Sequence, residues 1–275
     1  MSLPEPTTVA GRAGLAAVLA EPSRALVAVD YDGTLAPIVG RPEDARPAPG
    51  AVTALRALAG RVGRCAVVTG RPAAVVVELG GLGDVAGLVV LGHYGLQRWH
   101  DGELATPDPA PGVEVARRAM PGVLADAVDG VYVEDKEHSL VVHTRPAADP
   151  AAALAALEAP LGELAAANGL ELVPGRLVLE LRPPGVDKGV AVAALAAERD
   201  ASAVVYVGDD LGDVPAYAAV EAGRHEGRPG LTVASIDPDL PDPPTLQPDQ
   251  VDLVLAGPTA VVAFLTELAA AIGEP

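Results

Sequence analysis

Three short apolar runs, each ending in a polar cluster, do most to limit what this chain can fold into. Residues 25–29 (ALVAV) run into Asp30, residues 65–68 (CAVV) into Thr69-Gly70-Arg71-Pro72, and residues 203–207 (AVVYV) into Gly208-Asp209-Asp210. Four or five apolar residues without alternation read as a strand buried on both faces. Similar runs stand at 88–91, 231–234 and 252–255, and helical patterns separate them at 50–59 and from Lys188 onward. Strand, helix, strand in succession implies crossover connections and a parallel sheet, so an α/β fold is expected. Ligands in such sheets bind beyond the carboxyl ends of the strands, where these polar clusters lie.

The 275 residues suggest two domains. Half of them are hydrophobic and only 3% aromatic, so a sizeable core must be built from Ala, Val and Leu. With 19 basic against 37 acidic residues the net charge is −18, which argues against nucleic acid and anionic membrane as partners. An anionic substrate would have to be met locally, by a metal ion or a few placed cations. Cys65 is the single cysteine, so no intrachain disulfide and no multi-cysteine zinc site is expected. The first residues lack a secretory pattern and no stretch reads as a membrane span; a cytoplasmic protein is expected. Seventeen of the basic residues are Arg, and only positions 136 and 188 are Lys. Where Arg is the default, a retained Lys points to a need for a compact charge.

The middle of the chain differs in character. Strand-like pieces at 131–136 and 138–145 are close enough for a hairpin, an Ala-rich helix spans about 150–168, and two more strands are read at 170–173 and 176–181. Pro and Gly crowd both borders, PDPAPG at 107–112 and PPG at 183–185. We therefore expect a smaller α+β domain at 107–184 inserted into a core made of 1–106 and 185–275. The Pro- and Asp-rich stretch at 237–250 reads as a surface loop.

The polar clusters carry the chemistry. Asp30 and Asp32, two apart on a turn after the first strand, can share a crevice as a nucleophile and an acid/base. Alone, such a pair is more often a strand-ending turn. Asp209, Asp210 and Asp213 crowd three acids into five positions, which repel unless a cation sits among them, and hard oxygen ligands suit Mg²⁺. Thr69 precedes a helix opening at Pro72, where a hydroxyl and backbone N–H groups could hold an anion. Lys188 lies in the first turn of a helix, where the dipole disfavours it, which argues for a functional reason.

In order and context these motifs, DYDGTL, VVTGR, the lysine of DKG and GDDLGD, resemble the haloacid dehalogenase superfamily of phosphatases. The resemblance implies a Rossmann-like core with an inserted cap. It implies that Asp30 attacks phosphorus and that Asp32 protonates the leaving alcohol and then activates water. Mg²⁺ would be held by Asp30, the carbonyl of Asp32 and Asp209, with Asp210 and Asp213 in support. Thr69 and Lys188 would hold the phosphoryl group.

The inserted segment is similar to the cap of trehalose-6-phosphate phosphatases. VEDKEHSLVVHTR matches a Glu-x-Lys strand followed by a His-x-Arg strand, and LVLELRPPGVDKG a glutamate strand leading to the lysine. GHYGL resembles a His-Gly element after the third core strand, with Tyr94 intervening and Gln97 where an acid is common. The resemblance implies that Glu134, Lys136, Arg145 and Glu180 bind the sugar, with Gly70, Arg71, His93 and Gly95 also lining the substrate site. It implies an enzyme that takes a small sugar phosphate; with no synthase domain attached, a free-standing phosphatase is expected, and a monomer rather than an oligomer. Strand alternation independently aligns polar residues on one sheet face, Glu134 with Lys136, His143 with Arg145, and Glu180 with Arg182; an ordinary solvent-facing sheet would look the same. A related sugar phosphatase, a phosphotransferase or a non-catalytic phosphosugar sensor stay open, as do the roles of His143, Arg182 and the 237–250 loop.

Overall fold

The structure, a computed structural model, describes residues 3–238 and 251–273. Helix α1 (Val9–Ala20) leads into strand β1 (Ala25–Val29); α2 (Ala51–Ala59), β2 (Arg64–Val68), α3 (Ala73–Gly80) and β3 (Leu88–Gly92) follow, then β4 (Gln97–His100) and β5 (Glu103–Ala105). The middle of the chain supplies α4 (Pro111–Val123), β6 (Tyr132–Asp135), β7 (Leu140–His143), α5 (Pro150–Ala167), β8 (Glu171–Gly175) and β9 (Val178–Arg182). The return consists of α6 (Lys188–Glu198), β10 (Ala203–Gly208), α7 (Val214–His225), β11 (Gly230–Ser235), β12 (Leu253–Leu255) and α8 (Gly257–Ile272). The contacts divide the chain into two compact units, one running to Thr106 and resuming at Asp187, the other Pro107–Val186.

The first unit is an eight-stranded sheet in the order β12-β11-β10-β1-β2-β3-β4-β5. The six strands from β12 to β3 are parallel, and β4 and β5 add an antiparallel hairpin at one edge. β1 is buried at every residue, as its unbroken apolar run requires. Its odd members Val27 and Val29 pack with Leu55, Leu58, Phe264 and Leu265 of α2 and α8. Leu26 and Ala28 face Val192, Leu195 and Val220 of α6 and α7. Full burial of each Val or Leu is worth about 1.5–3 kcal/mol, which makes the centre of this sheet the rigid part of the unit.

The second unit is a four-stranded antiparallel sheet, β6-β7-β9-β8. Leu140, Val142, Leu179 and Leu181 cover one face and pack on Val113, Met120, Leu157 and Leu161 of α4 and α5. The register sets Tyr132 opposite His143, Glu134 opposite Val141, Val141 opposite Glu180, and Arg182 opposite Glu171, so these residues share the other face.

Several expected strands are shorter than the sequence suggested, β6 by one residue at each end. β7 ends at His143, because Thr144 turns its N–H to Leu177 O (3.0 Å) and Pro146 has no N–H to continue a ladder. Arg145 consequently sits exposed in the turn, off the strand. β9 begins at Val178, Arg176 and Leu177 forming the tip of the β8–β9 hairpin with Leu177 at φ 59°. Of the loop expected at 237–250, residues 239–250 lie outside the described residues. Among the described residues no helix is long and apolar enough to cross a membrane.

Candidate active site

Pairing of β1 with β10 in register, Val29 opposite Val207, brings the chain beyond β1 and the chain beyond β10 side by side. Asp30 donates its backbone N–H to Val207 O (2.8 Å) and is 4% exposed; Asp209, one residue beyond β10, is 6% exposed. Gly33 has φ 75°, and a Cβ there would fall 2.0 Å from an oxygen of Asp209, so only glycine meets both the turn and the approach of that carboxylate. Ser235 Oγ donates to Gly33 O (2.7 Å) and fixes the turn from β11. Thr34 Oγ1 reaches Asp209 at 3.4 Å.

Asp30, Asp209 and Asp213 each bring a carboxylate oxygen within 4.8 Å of the others, and all three are buried. Lys188, at the first residue of α6 behind the Asp187 N-cap, sends Nζ between Asp30 (2.8 Å) and Asp213 (2.7 Å). Asp213 is the organiser of this loop: one oxygen accepts from Lys188 and from the Tyr206 hydroxyl (2.5 Å), the other from the N–H groups of Asp209 (2.9 Å) and Asp210 (3.1 Å). Asp210 caps the following turn by accepting from Gly212 N (2.8 Å).

The charge balance is lopsided, with three buried carboxylates against one ammonium. Burial, more than Lys188 can offset and with Asp213 adding to it, pushes Asp30 up to about 8. Burial and the charges of Asp30 and Asp213 hold Asp209 well above the carboxylate range. Burial also disfavours the Lys188 ammonium, yet Asp213 and Asp30 outweigh it and keep Lys188 well above its ordinary value. A divalent cation among hard oxygens would relieve this repulsion and restore the carboxylate forms, so the donor set fits one.

Thr69, 1% exposed, follows β2, and its Oγ1 accepts from Arg71 N (3.2 Å). The helix after it starts at Ala73, and the Ala73 N–H is taken by Gln97 Oε1 (2.9 Å). Gln97, where the resemblance favours an acid, thus braces the start of α3 from β4. Arg71 is turned to Asp32, with Nε on Oδ2 and Nη2 on Oδ1, both at 2.6 Å. His93, Tyr94 and Gly95 are all left-handed, at φ 46°, 57° and 109°. Two backbone bonds hold them there, His93 N to Arg71 O (3.0 Å) and Tyr94 N to Thr69 O (2.9 Å), and the Tyr94 ring lies on Gly70. Left-handed non-glycine residues cost about 1–3 kcal/mol each, and such strain clusters at functional sites. The first unit therefore brings together Asp30, Asp209, Asp213 and Lys188, with Asp32 tied to Arg71 and His93 tied to the Thr69 loop.

In the second unit Glu134 Oε2 accepts from His143 Nε2 at 2.9 Å, and Tyr132 stacks on the same ring at 4.6 Å. Glu180, 6% exposed, accepts from Ser139 Oγ (2.6 Å). Lys136 N donates to Ser139 O (3.0 Å), one rung beyond β6, which keeps Lys136 on the polar face of the sheet. Arg182 donates to Glu171 (2.9 Å). Arg145, expected beside His143, does not share that face by strand alternation.

Tyr206, Ser139 and Ser235 were missed in sequence. Only Tyr206 carried a signal: a tyrosine inside a run buried on both faces needs a partner for its hydroxyl, and Asp213 supplies it.

A sequence model of the family described as trehalose-phosphatase matches residues 28–238. The trehalose-phosphate phosphatase of Mycolicibacterium paratuberculosis is 36% identical over 234 residues, covering 76% of this chain and 55% of that protein. An uncharacterized glycosyl hydrolase of Mycobacterium tuberculosis is 35% identical over 215 residues, 72% of this chain but 15% of that protein. The chain thus spans about half, or less, of the curated relatives it matches. Among solved structures, the C-terminal domain of C. albicans trehalose-6-phosphate phosphatase superimposes with TM-score 0.74 at 21% identity, covering 98% of this chain and 99% of that one. Aspergillus fumigatus trehalose-6-phosphate phosphatase gives TM-score 0.69 at 21% identity, with 97% and 99% covered.

Proposed function

Because the chain belongs to the trehalose-phosphatase family, we propose that it hydrolyses trehalose 6-phosphate to trehalose and phosphate. The observation that carries this reading is the buried cluster of Asp30, Asp209, Asp213 and Lys188 at the carboxyl ends of β1 and β10, with Asp32 two residues beyond Asp30.

In this reading an Asp30 carboxylate oxygen attacks phosphorus, a new O–P bond forms, and the bond from phosphorus to the sugar oxygen breaks. Asp32 gives that oxygen a proton, so trehalose leaves as an alcohol. Asp32 then takes a proton from a water that attacks the aspartyl-phosphate, which frees phosphate and regenerates Asp30. Lys188 and the Thr69 hydroxyl hold the transferring group and offset its charge. Asp30, Asp209 and the carbonyl of Asp32, supported by Asp210 and Asp213, would hold Mg²⁺, which when bound would supply positive charge against the phosphate. Gly70, His93 and Gly95 belong to the substrate site in the core. Residues 107–184 act as the cap that selects the sugar, through Glu134, Lys136, Glu180 and, from its turn, Arg145. The reading includes a cytoplasmic, monomeric enzyme.

The test is phosphate release from trehalose 6-phosphate, sucrose 6-phosphate and glucose 6-phosphate, with Mg²⁺ and with chelator. A strong preference for trehalose 6-phosphate, lost with chelator and abolished by Asp30→Asn, supports it. Preference for another ester keeps the mechanism and discards the sugar assignment; no release from any of them discards both.

A further inference from the structure

Arg71, expected to line the substrate site, is turned to Asp32. Its guanidinium takes both oxygens of Asp32 in a forked pair at 2.6 Å, and its third nitrogen donates to Pro42 O at 2.7 Å. Its backbone is pinned as well, with its N–H on Thr69 Oγ1 (3.2 Å) and its carbonyl accepting from His93 N (3.0 Å). Beneath it the Tyr31 ring lies 5.9 Å from the guanidinium carbon, and the buried Tyr31 hydroxyl donates to Ala45 O (2.9 Å). The side chain is 17% exposed and that of Asp32 32%.

These contacts have one chemical meaning in common. Asp32 is a short side chain with two torsions, on a turn whose backbone is held by a single bridge to Ala36 that does not fix the carboxylate. A planar fork that meets both carboxylate oxygens fixes both torsions at once, which an ammonium cannot do. For Arg71 to bind a ligand directly, it would have to leave both Asp32 and Pro42. We propose that Arg71 is a positioning residue that sets the Asp32 carboxylate and ties it to the segment carrying Pro42. The inference rests on the reading of Asp32 as the acid/base, and it replaces the expectation that Arg71 contacts substrate.

A positioning residue acts only through the group it positions, so its effect vanishes when that group is inert. In the otherwise native chain, Arg71→Ala lowers kcat on trehalose 6-phosphate about 10- to 100-fold, the usual loss when the partner orienting a reacting side chain is removed, with KM within about threefold. Arg71→Lys, which keeps the charge without the fork, recovers less than half of that loss on a logarithmic scale and guards against a folding artefact in the alanine variant. The same two substitutions are then made with Asp32→Asn, reading the burst of p-nitrophenolate from p-nitrophenyl phosphate, whose leaving group departs without a proton. There Arg71→Ala changes the burst rate less than about twofold.

Three results overturn the inference: an effect of equal size with Asp32→Asn, an effect confined to KM, or full rescue by Lys. An enzyme that releases phosphate from no ester in its native form instead overturns the functional reading on which the inference rests.

Discussion

Lys188 Nζ stands 2.7 Å from a carboxylate oxygen of Asp213 in a place where neither side chain is more than 6% exposed. The same ammonium is 2.8 Å from Asp30, so among the described residues one lysine forms the ion pairs with both buried acids. Its removal leaves both uncompensated. Lys188→Ala should lower stability by about 3–5 kcal/mol in denaturant titration without added metal. Phosphate release should fall at least about 100-fold, from loss of charge against the phosphoryl group. A variant with native stability and rate would show that the ammonium is dispensable.

The crowding of Asp30, Asp209 and Asp213 makes an independent prediction that needs no turnover. Magnesium should raise the unfolding midpoint, since a ligand at about 100 times its Kd adds about 2.7 kcal/mol. Asp209→Asn should remove most of that gain. An equal rise in the variant would place the ion elsewhere.

Asp252, far from this cluster in sequence, is a structural carboxylate. It accepts from the Thr8 hydroxyl, the Thr232 N–H (2.8 Å) and hydroxyl (2.9 Å), and the Arg224 guanidinium. Burial works to raise it, but these donors win and hold it below the usual carboxylate range. Its contribution is therefore complete above the unfolded value near 3.9 and is lost as pH falls through the lower folded value. Asp252→Asn should cost about 1.5–3 kcal/mol at pH 7. The difference from the native chain should narrow as unfolding is measured at lower pH, below about 4. A gap independent of pH would mean the charge is not what matters.

Cys65 lies in β2 at 1% exposure, and burial pushes its thiol up to about 12. The thiolate is the reactive form, so a thiol reagent at pH 8 should leave the folded protein unlabelled for hours and label it fully in denaturant. Rapid labelling of the folded chain would show that β2 opens locally.

For the second unit, Lys136→Ala should raise KM for trehalose 6-phosphate about 10- to 100-fold, the worth of one charged hydrogen bond. The KM for p-nitrophenyl phosphate should stay within about twofold. Equal effects on both would remove Lys136 from sugar recognition.

How much of this was legible depended on where each segment is solvated. β1 has the bounds its apolar run announced, because a strand buried on both faces leaves no polar residue to blur its ends. β4, read as Gln-Arg-Trp-His, carries no such run, and the antiparallel hairpin it makes with β5 went unseen. α1 hid behind its glycines: a Cβ at Gly14 would fall 1.9 Å from the carbonyl oxygen of Gly230, so close packing on β11, not helix propensity, chose the residue. The clustering of Asp30, Asp209 and Lys188 could be anticipated, since each follows a strand or opens a helix at the same sheet edge. The Arg71–Asp32 pair could not, because nothing in periodicity says which of several nearby groups an arginine will grip.

The position of β1 between β2 and β10 also has a consequence during synthesis. β2 follows soon after β1, but β10 begins only at Ala203, after the whole second unit has been made. At about 5–20 residues per second, one edge of this apolar strand waits roughly 10–35 s on the ribosome for its neighbour. An open, fully apolar edge is a template for pairing with other chains. A chain stopped anywhere before Ala203 therefore carries Asp30 on such an edge, and it is poised to aggregate and not to act as a weakened enzyme.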